Sequence, residues 1–169
     1  FHRDIKPQNI LLTTPLTGSG LPQPTTMARL SDFGLARSED NTGQSIPGQA
    51  MGTPSYMPPE QARGDWNQID PTSDVYSLGA TLYTLLTGRP PFQANTTIET
   101  LRQVQEDDPV SPRRLNQVVS ADLENICLMC LRKEQSRRYQ SAQDLADDLN
   151  RFLKGEPVHA RPGRWVERF

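Results

Sequence analysis

Asp4, Lys6 and Asn9 bring a carboxylate, an ammonium and an amide into one stretch of eight residues, His2-Arg3-Asp4-Ile5-Lys6-Pro7-Gln8-Asn9. A short loop can aim all three at one point. A carboxylate there can orient and deprotonate a hydroxyl. An ammonium two residues on can offset charge on a moving phosphate. An amide can hold Mg²⁺ through its carbonyl oxygen. The bland alternative is a polar surface loop ahead of a strand. A His-x-Asp triplet alone favours that alternative; with Lys6 and Asn9 in place the balance turns against it.

Several elements must position these groups. Ile10-Leu11-Leu12 is a short apolar run, read as a strand that buries the back of the loop. The stretch 13–26 is rich in Thr, Pro and Gly without periodicity, a surface insertion leading to a second short strand at Met27–Leu30. Thr72 or Ser73 is expected to cap a helix from Asp74 to Leu86. Val75, Leu78, Leu82, Leu85 and Leu86 make it apolar on most sides, the pattern of a buried helix, and Gly88 ends it. A polar helix follows near Thr97–Gln105, and Ser120 caps another. Ser141 and Asp144 read as a capping box with Asp in place of Glu. Leu145, Leu149, Phe152 and Leu153 form a core stripe stopped by Gly155.

The 169 residues suffice for one domain with a core. A net charge of −2 leaves no nucleic-acid footprint. No apolar run approaches the roughly 18–20 residues of a membrane span. The chain opens on Phe1 rather than Met, so its true start is expected upstream. Cys127 and Cys130 have the C-x-x-C spacing of redox or metal sites. They also fall on a helical stripe with Leu123, Ile126 and Leu131, and no second Cys or His pair completes a site, so they read as core. Two unpaired thiols suit a reducing, cytosolic setting.

His2-Arg3-Asp4-x-Lys6-x-x-Asn9 resembles the catalytic loop of protein kinases, and Lys6 resembles the serine/threonine class. Further segments keep the family order. Asp32-Phe33-Gly34 resembles the Mg²⁺-binding motif. Gly52-Thr53-Pro54-Ser55-Tyr56-Met57-Pro58-Pro59-Glu60 resembles the end of an activation segment, with Pro58 departing from the usual Ala. Asp74-Val75-Tyr76-Ser77-Leu78-Gly79 resembles the start of the central large-lobe helix, and Arg138 the arginine that pairs with Glu60. The bacterial branch of these kinases is the most similar. The implied fold is mainly α: a kinase-like large lobe with a short β-hairpin near its start, residues 1–155, followed by a basic and aromatic tail, 156–169. Arg161, Arg164, Trp165, Arg168 and Phe169 lie in that tail, which is expected to dock on the domain or stay disordered rather than approach an acidic membrane.

The resemblance implies serine/threonine protein kinase activity with ATP and Mg²⁺. Asp4, Lys6 and Thr53 would be catalytic, with Thr53 bonding Asp4 and Lys6. Asn9 and Asp32 would hold Mg²⁺. Lys6, Asn9, Leu11 and Asp32 would face the nucleotide, Leu11 at the adenine. Thr42 and Ser45 become candidate phosphosites, with Arg3 and Arg37 to pair the phosphate. Glu60, Asp74 and Arg138 would be structural. The small-lobe parts of the family would precede Phe1, so the 169 residues alone are expected to be inactive and marginally folded. Protein substrates, ATP and no nucleic acid are the expected partners. A cytoplasmic domain is expected, with any membrane contact through regions outside this chain. The alternative is a non-catalytic remnant that serves as a binding or scaffold module.

Overall fold

The computed structural model describes residues 2–13, 27–32 and 54–161. The first two stretches meet as an antiparallel hairpin, β1 (Ile10–Thr13) on β2 (Met27–Leu30), with Ile10 opposite Leu30 and Thr13 opposite Met27. Among the described residues six helices follow: α1 (Pro59–Ala62), α2 (Pro71–Thr87), α3 (Thr97–Glu106), α4 (Pro112–Leu115), α5 (Ala121–Cys130) and α6 (Ala142–Leu153).

Helix α2 organises the rest. One side joins Tyr76, Ala80 and Tyr83 to Tyr56, Cys127 and Leu131. Another joins Val75 to Ile126, Cys130, Tyr139, Leu145 and Ala160. At Gly79 the backbones of α2 and α5 come close: a Cβ there would sit 2.3 Å from Cys130 Cβ. Both cysteines are free, buried thiols, the core role their spacing predicts, and burial pushes each well above the ordinary thiol pKa.

Four local expectations need correction. Helix α2 begins at Pro71, and its cap is Asp70 rather than Thr72 or Ser73. The Asp70 carboxylate accepts from Thr72 N at 2.8 Å, Ser73 Oγ accepts from Asp70 N at 3.3 Å, and Pro71 lacks the N–H that would go unbonded in the first turn. Nor is α2 buried all round, since Leu85 is 75% exposed. Leu153 is likewise exposed, at the last turn of α6. The hairpin does not bury the back of its loop: Leu11, Leu12 and Met27 are each more than half exposed.

The other expected caps stand where the sequence puts them. Gly88 closes α2 in a left-handed conformation, φ 77°. Ser120 Oγ accepts from Leu123 N; Thr96, not among the expected caps, caps the polar helix, which reaches Glu106. Ser141 Oγ accepts from Asp144 N, but the Asp144 carboxylate accepts from the Ser141 hydroxyl rather than from the Ser141 main-chain N–H. Aspartate is one methylene shorter than the glutamate of the usual box.

Candidate active site

The loop before β1 folds on itself. Pro7 opens a single 3₁₀ turn, Pro7–Asn9, in which Asn9 N donates to Lys6 O at 3.0 Å. That turn swings Asn9 inward, where it is buried. Its Nδ2 donates to Asp4 O at 2.8 Å and to Asp4 Oδ2 at 3.0 Å. Lys6 Nζ reaches the same Oδ2 at 2.8 Å. The carboxylate, ammonium and amide singled out by spacing therefore converge on one oxygen. The Asp4 side chain stays about one-third open (34%), within reach of an incoming molecule.

The loop hangs from α2. Asp74, in the first turn, accepts His2 N on Oδ2 at 2.8 Å and Arg3 N on Oδ1 at 2.9 Å. Arg3 sits at φ 67°, a conformation that costs a non-glycine residue energy and needs such bonds to hold it. The buried His2 ring puts Nε2 3.0 Å from Ser31 O. Ser31 N donates to Asn9 O at 2.8 Å. With Ile10 opposite Leu30, Asn9 and Ser31 flank the hairpin, and exposed Asp32 stands one residue beyond, at φ 52°.

A second locked region lies at 54–60. Ser77 Oγ donates to Tyr56 O at 2.9 Å, and Thr84 Oγ1 lies 3.3 Å from Tyr56 Oη. Pro58 caps α1 and Pro59 opens it, so the departure at Pro58 leaves Glu60 in its first turn. Glu60 and Arg138 are both buried, joined through Nη1–Oε1 at 2.8 Å and Nη2–Oε2 at 2.9 Å. Arg138 spends its remaining donors on the carbonyls of Thr72, Arg132 and Lys133, and Ser73 Oγ adds a 2.6 Å bond to Glu60 Oε1. Burial alone would raise the Glu60 carboxyl, but the Arg138 guanidinium and the Ser73 hydroxyl outweigh it and hold the pKa below its ordinary value.

Thr53, Arg37, Thr42 and Ser45 lie outside the described residues. The Arg3 side chain is exposed, and Leu11 stands open on β1. Sequence reasoning named Asp74 as structural and Ser73 as a cap, but not the bonds joining Asp74 to the main chain of His2 and Arg3 or Ser73 to Glu60, and it gave Ser31 and Ser77 no partner. Each acts on a residue well separated in sequence, and no local pattern announces such a bond.

The protein kinase domain family matches residues 1–149. The chain belongs to the protein kinase family. It is 40% identical over 162 residues to serine/threonine-protein kinase PknB of Mycobacterium tuberculosis, covering 95% of this chain and 24% of that protein. A probable serine/threonine-protein kinase of Streptomyces coelicolor is 37% identical over 161 residues, covering 94% of this chain and 22% of that protein. One from Clostridium perfringens is 31% identical over 158 residues, covering 94% and 21%. The chain thus spans about a quarter of the length of the curated relatives it matches. Kinases of this family generally use ATP and Mg²⁺. The helical body and short hairpin described above fit the large lobe of such a kinase. Among the described residues no helix is long and apolar enough to cross a membrane.

Proposed function

We propose that the protein carrying these residues is a serine/threonine protein kinase that transfers the ATP γ-phosphoryl group to hydroxyls of protein substrates. The observation that carries this reading is the convergence of Lys6 and Asn9 on Asp4 Oδ2. Asp4 orients the acceptor hydroxyl and takes up its proton as the O–P bond forms. Lys6, freed from Asp4 by a small side-chain swing, offsets charge on the transferred group. The donor set fits Mg²⁺: Asn9 commits its amide nitrogen to Asp4, which leaves its carbonyl oxygen for a hard cation, and Asp32 adds a carboxylate at the end of the paired strand. When bound, the ion neutralises charge on the nucleotide phosphates.

Leu11 offers an apolar contact to the adenine. Thr53 ties the substrate-side segment to Asp4 and Lys6. Phosphate on Thr42 or Ser45 pairs with Arg3 and Arg37. Protein substrates and ATP are the partners, not nucleic acid. The domain works in the cytoplasm, and any membrane anchor belongs to regions beyond residues 1–169.

The test is Asp4→Asn in the full-length protein, in a radiolabelled phosphate assay with separate ATP titration. Transfer should fall about 10²–10⁴-fold with ATP affinity nearly unchanged. Near-wild-type transfer would defeat the reading. A full-length protein that binds partners yet transfers nothing would favour the scaffold alternative.

A further inference from the structure

The match to the kinase family ends at residue 149, yet the lobe continues past it. Helix α6 ends at Leu153, and Gly155, at φ 70°, turns the chain back on the helix. Glu156 N then donates to Arg151 O at 2.9 Å. Three residues on, His159 N and Ala160 N donate to Asp148 Oδ1 and Oδ2, at 2.6 and 3.0 Å. The order of these partners, Arg151 then Asp148, shows a segment running back along α6. Val158 packs against the core, His159 is exposed and Ala160 is buried, and the chain bends at His159 so that two successive N–H groups meet one carboxylate.

Asp148 is fully buried, and a buried carboxylate needs its bonds satisfied. Its third donor is the Tyr139 hydroxyl, at 2.6 Å. Every donor here other than Tyr139 comes from main chain beyond residue 153. The core that Ala160 completes also contains Val75, Ile126, Cys130, Tyr139 and Leu145. Val75 is adjacent to Asp74, whose carboxylate holds the main chain of His2 and Arg3.

We propose that Val158–Ala160 is a strap, latched by Asp148, that closes the core behind α2 and couples the chain beyond the family match to the loop held by Asp74. Unlatching opens the side of the core around Val75 and loosens the 2–5 loop without unfolding the lobe. The coupling does not depend on the kinase reading, since it concerns packing alone.

Hydrogen–deuterium exchange on the full-length protein tests it, comparing wild type with Asp148→Asn. That change keeps the shape but removes the charge and one acceptor. In the wild type, amides of 158–161 should exchange slowly. In the variant they should exchange about tenfold faster or more, the ordinary effect of losing bonds to a charged acceptor. The peptide covering 2–5 should speed up with them, while one covering 79–85 in the middle of α2 stays unchanged. Free exchange of 158–161 in the wild type would overturn the strap, and faster exchange there with 2–5 unmoved would overturn the coupling. Should Asp148→Asn fail to fold, Tyr139→Phe removes one donor and keeps the ring. It should show the same pattern at smaller amplitude, and a wild-type pattern would overturn the proposal.

Discussion

Arg138 grips Glu60 through two parallel hydrogen bonds, 2.8 and 2.9 Å long, across 78 positions of sequence and with neither side chain exposed. The pair fixes the start of α1 to the turn after α5, so the segment Pro54–Glu60 inherits the rigidity of the helical core. Such a pair adds modestly to stability while whole, because both charges were taken out of water. Broken, it leaves a charge buried alone.

Arg138→Met and Glu60→Gln should therefore each destabilise the lobe by about 3–5 kcal/mol. Thermal unfolding followed by circular dichroism measures this. A loss under about 1 kcal/mol for both would mean that water reaches the pair and screens it.

The same pair sets an acid limit. The folded Glu60 pKa lies below its ordinary value of 4.5, so the unfolded chain binds the proton more readily. The stabilisation is complete above about pH 4.5 and is lost as pH falls through the lower folded value. Asp148 behaves alike: burial raises its pKa, but Tyr139 Oη and the main-chain N–H groups of His159 and Ala160 bring it below the ordinary value. Urea unfolding at stepped pH should show stability falling below pH 4.5, and the fall should be shallower in Glu60→Gln. An unchanged slope in that variant would remove Glu60 from the account.

Gly79→Ala should be costly because the new methyl would lie 2.3 Å from Cys130 Cβ and 3.4 Å from its Cα. Both helix backbones must separate to admit it, at about 1–3 kcal/mol or more. Adding Cys130→Gly should recover part of the loss despite glycine's own cost in a helix, about 1 kcal/mol. Purely additive losses in a double-mutant cycle would contradict the contact.

Asp32→Asn in the full-length protein should weaken Mg²⁺-dependent ATP binding, because a carboxylate holds a hard cation better than an amide does. Calorimetric titration of Mg·ATP into both forms decides it. Equal affinities would sink the assignment of Asp32 to the metal.

Much of the site was legible because its chemistry is local. Asp4, Lys6 and Asn9 lie within six positions of one another, and a single proline-opened turn brings them together. The helices were legible for a similar reason: their apolar spacing and their caps at Ser120 and Ser141 act within one or two turns. Glu60–Arg138 was legible only through resemblance, since nothing within the intervening 77 residues dictates that pairing.

What the sequence by itself determined was the list of reactive groups in one loop, the helical character of the chain and the core role of Cys127 and Cys130. Tertiary structure decided the rest. It chose Asp70 over its neighbours as the cap of α2, because Ser73 is drawn both to Asp70 N and to Glu60. It left Leu85 and Leu153 in solvent, because apolar spacing says which positions could be buried and not which faces find a neighbour. It made Asp74 the anchor for His2 and Arg3, and Asp148 the anchor for His159 and Ala160. A carboxylate's acceptors are matched to whichever main-chain donors packing delivers, and packing is set by the whole chain at once.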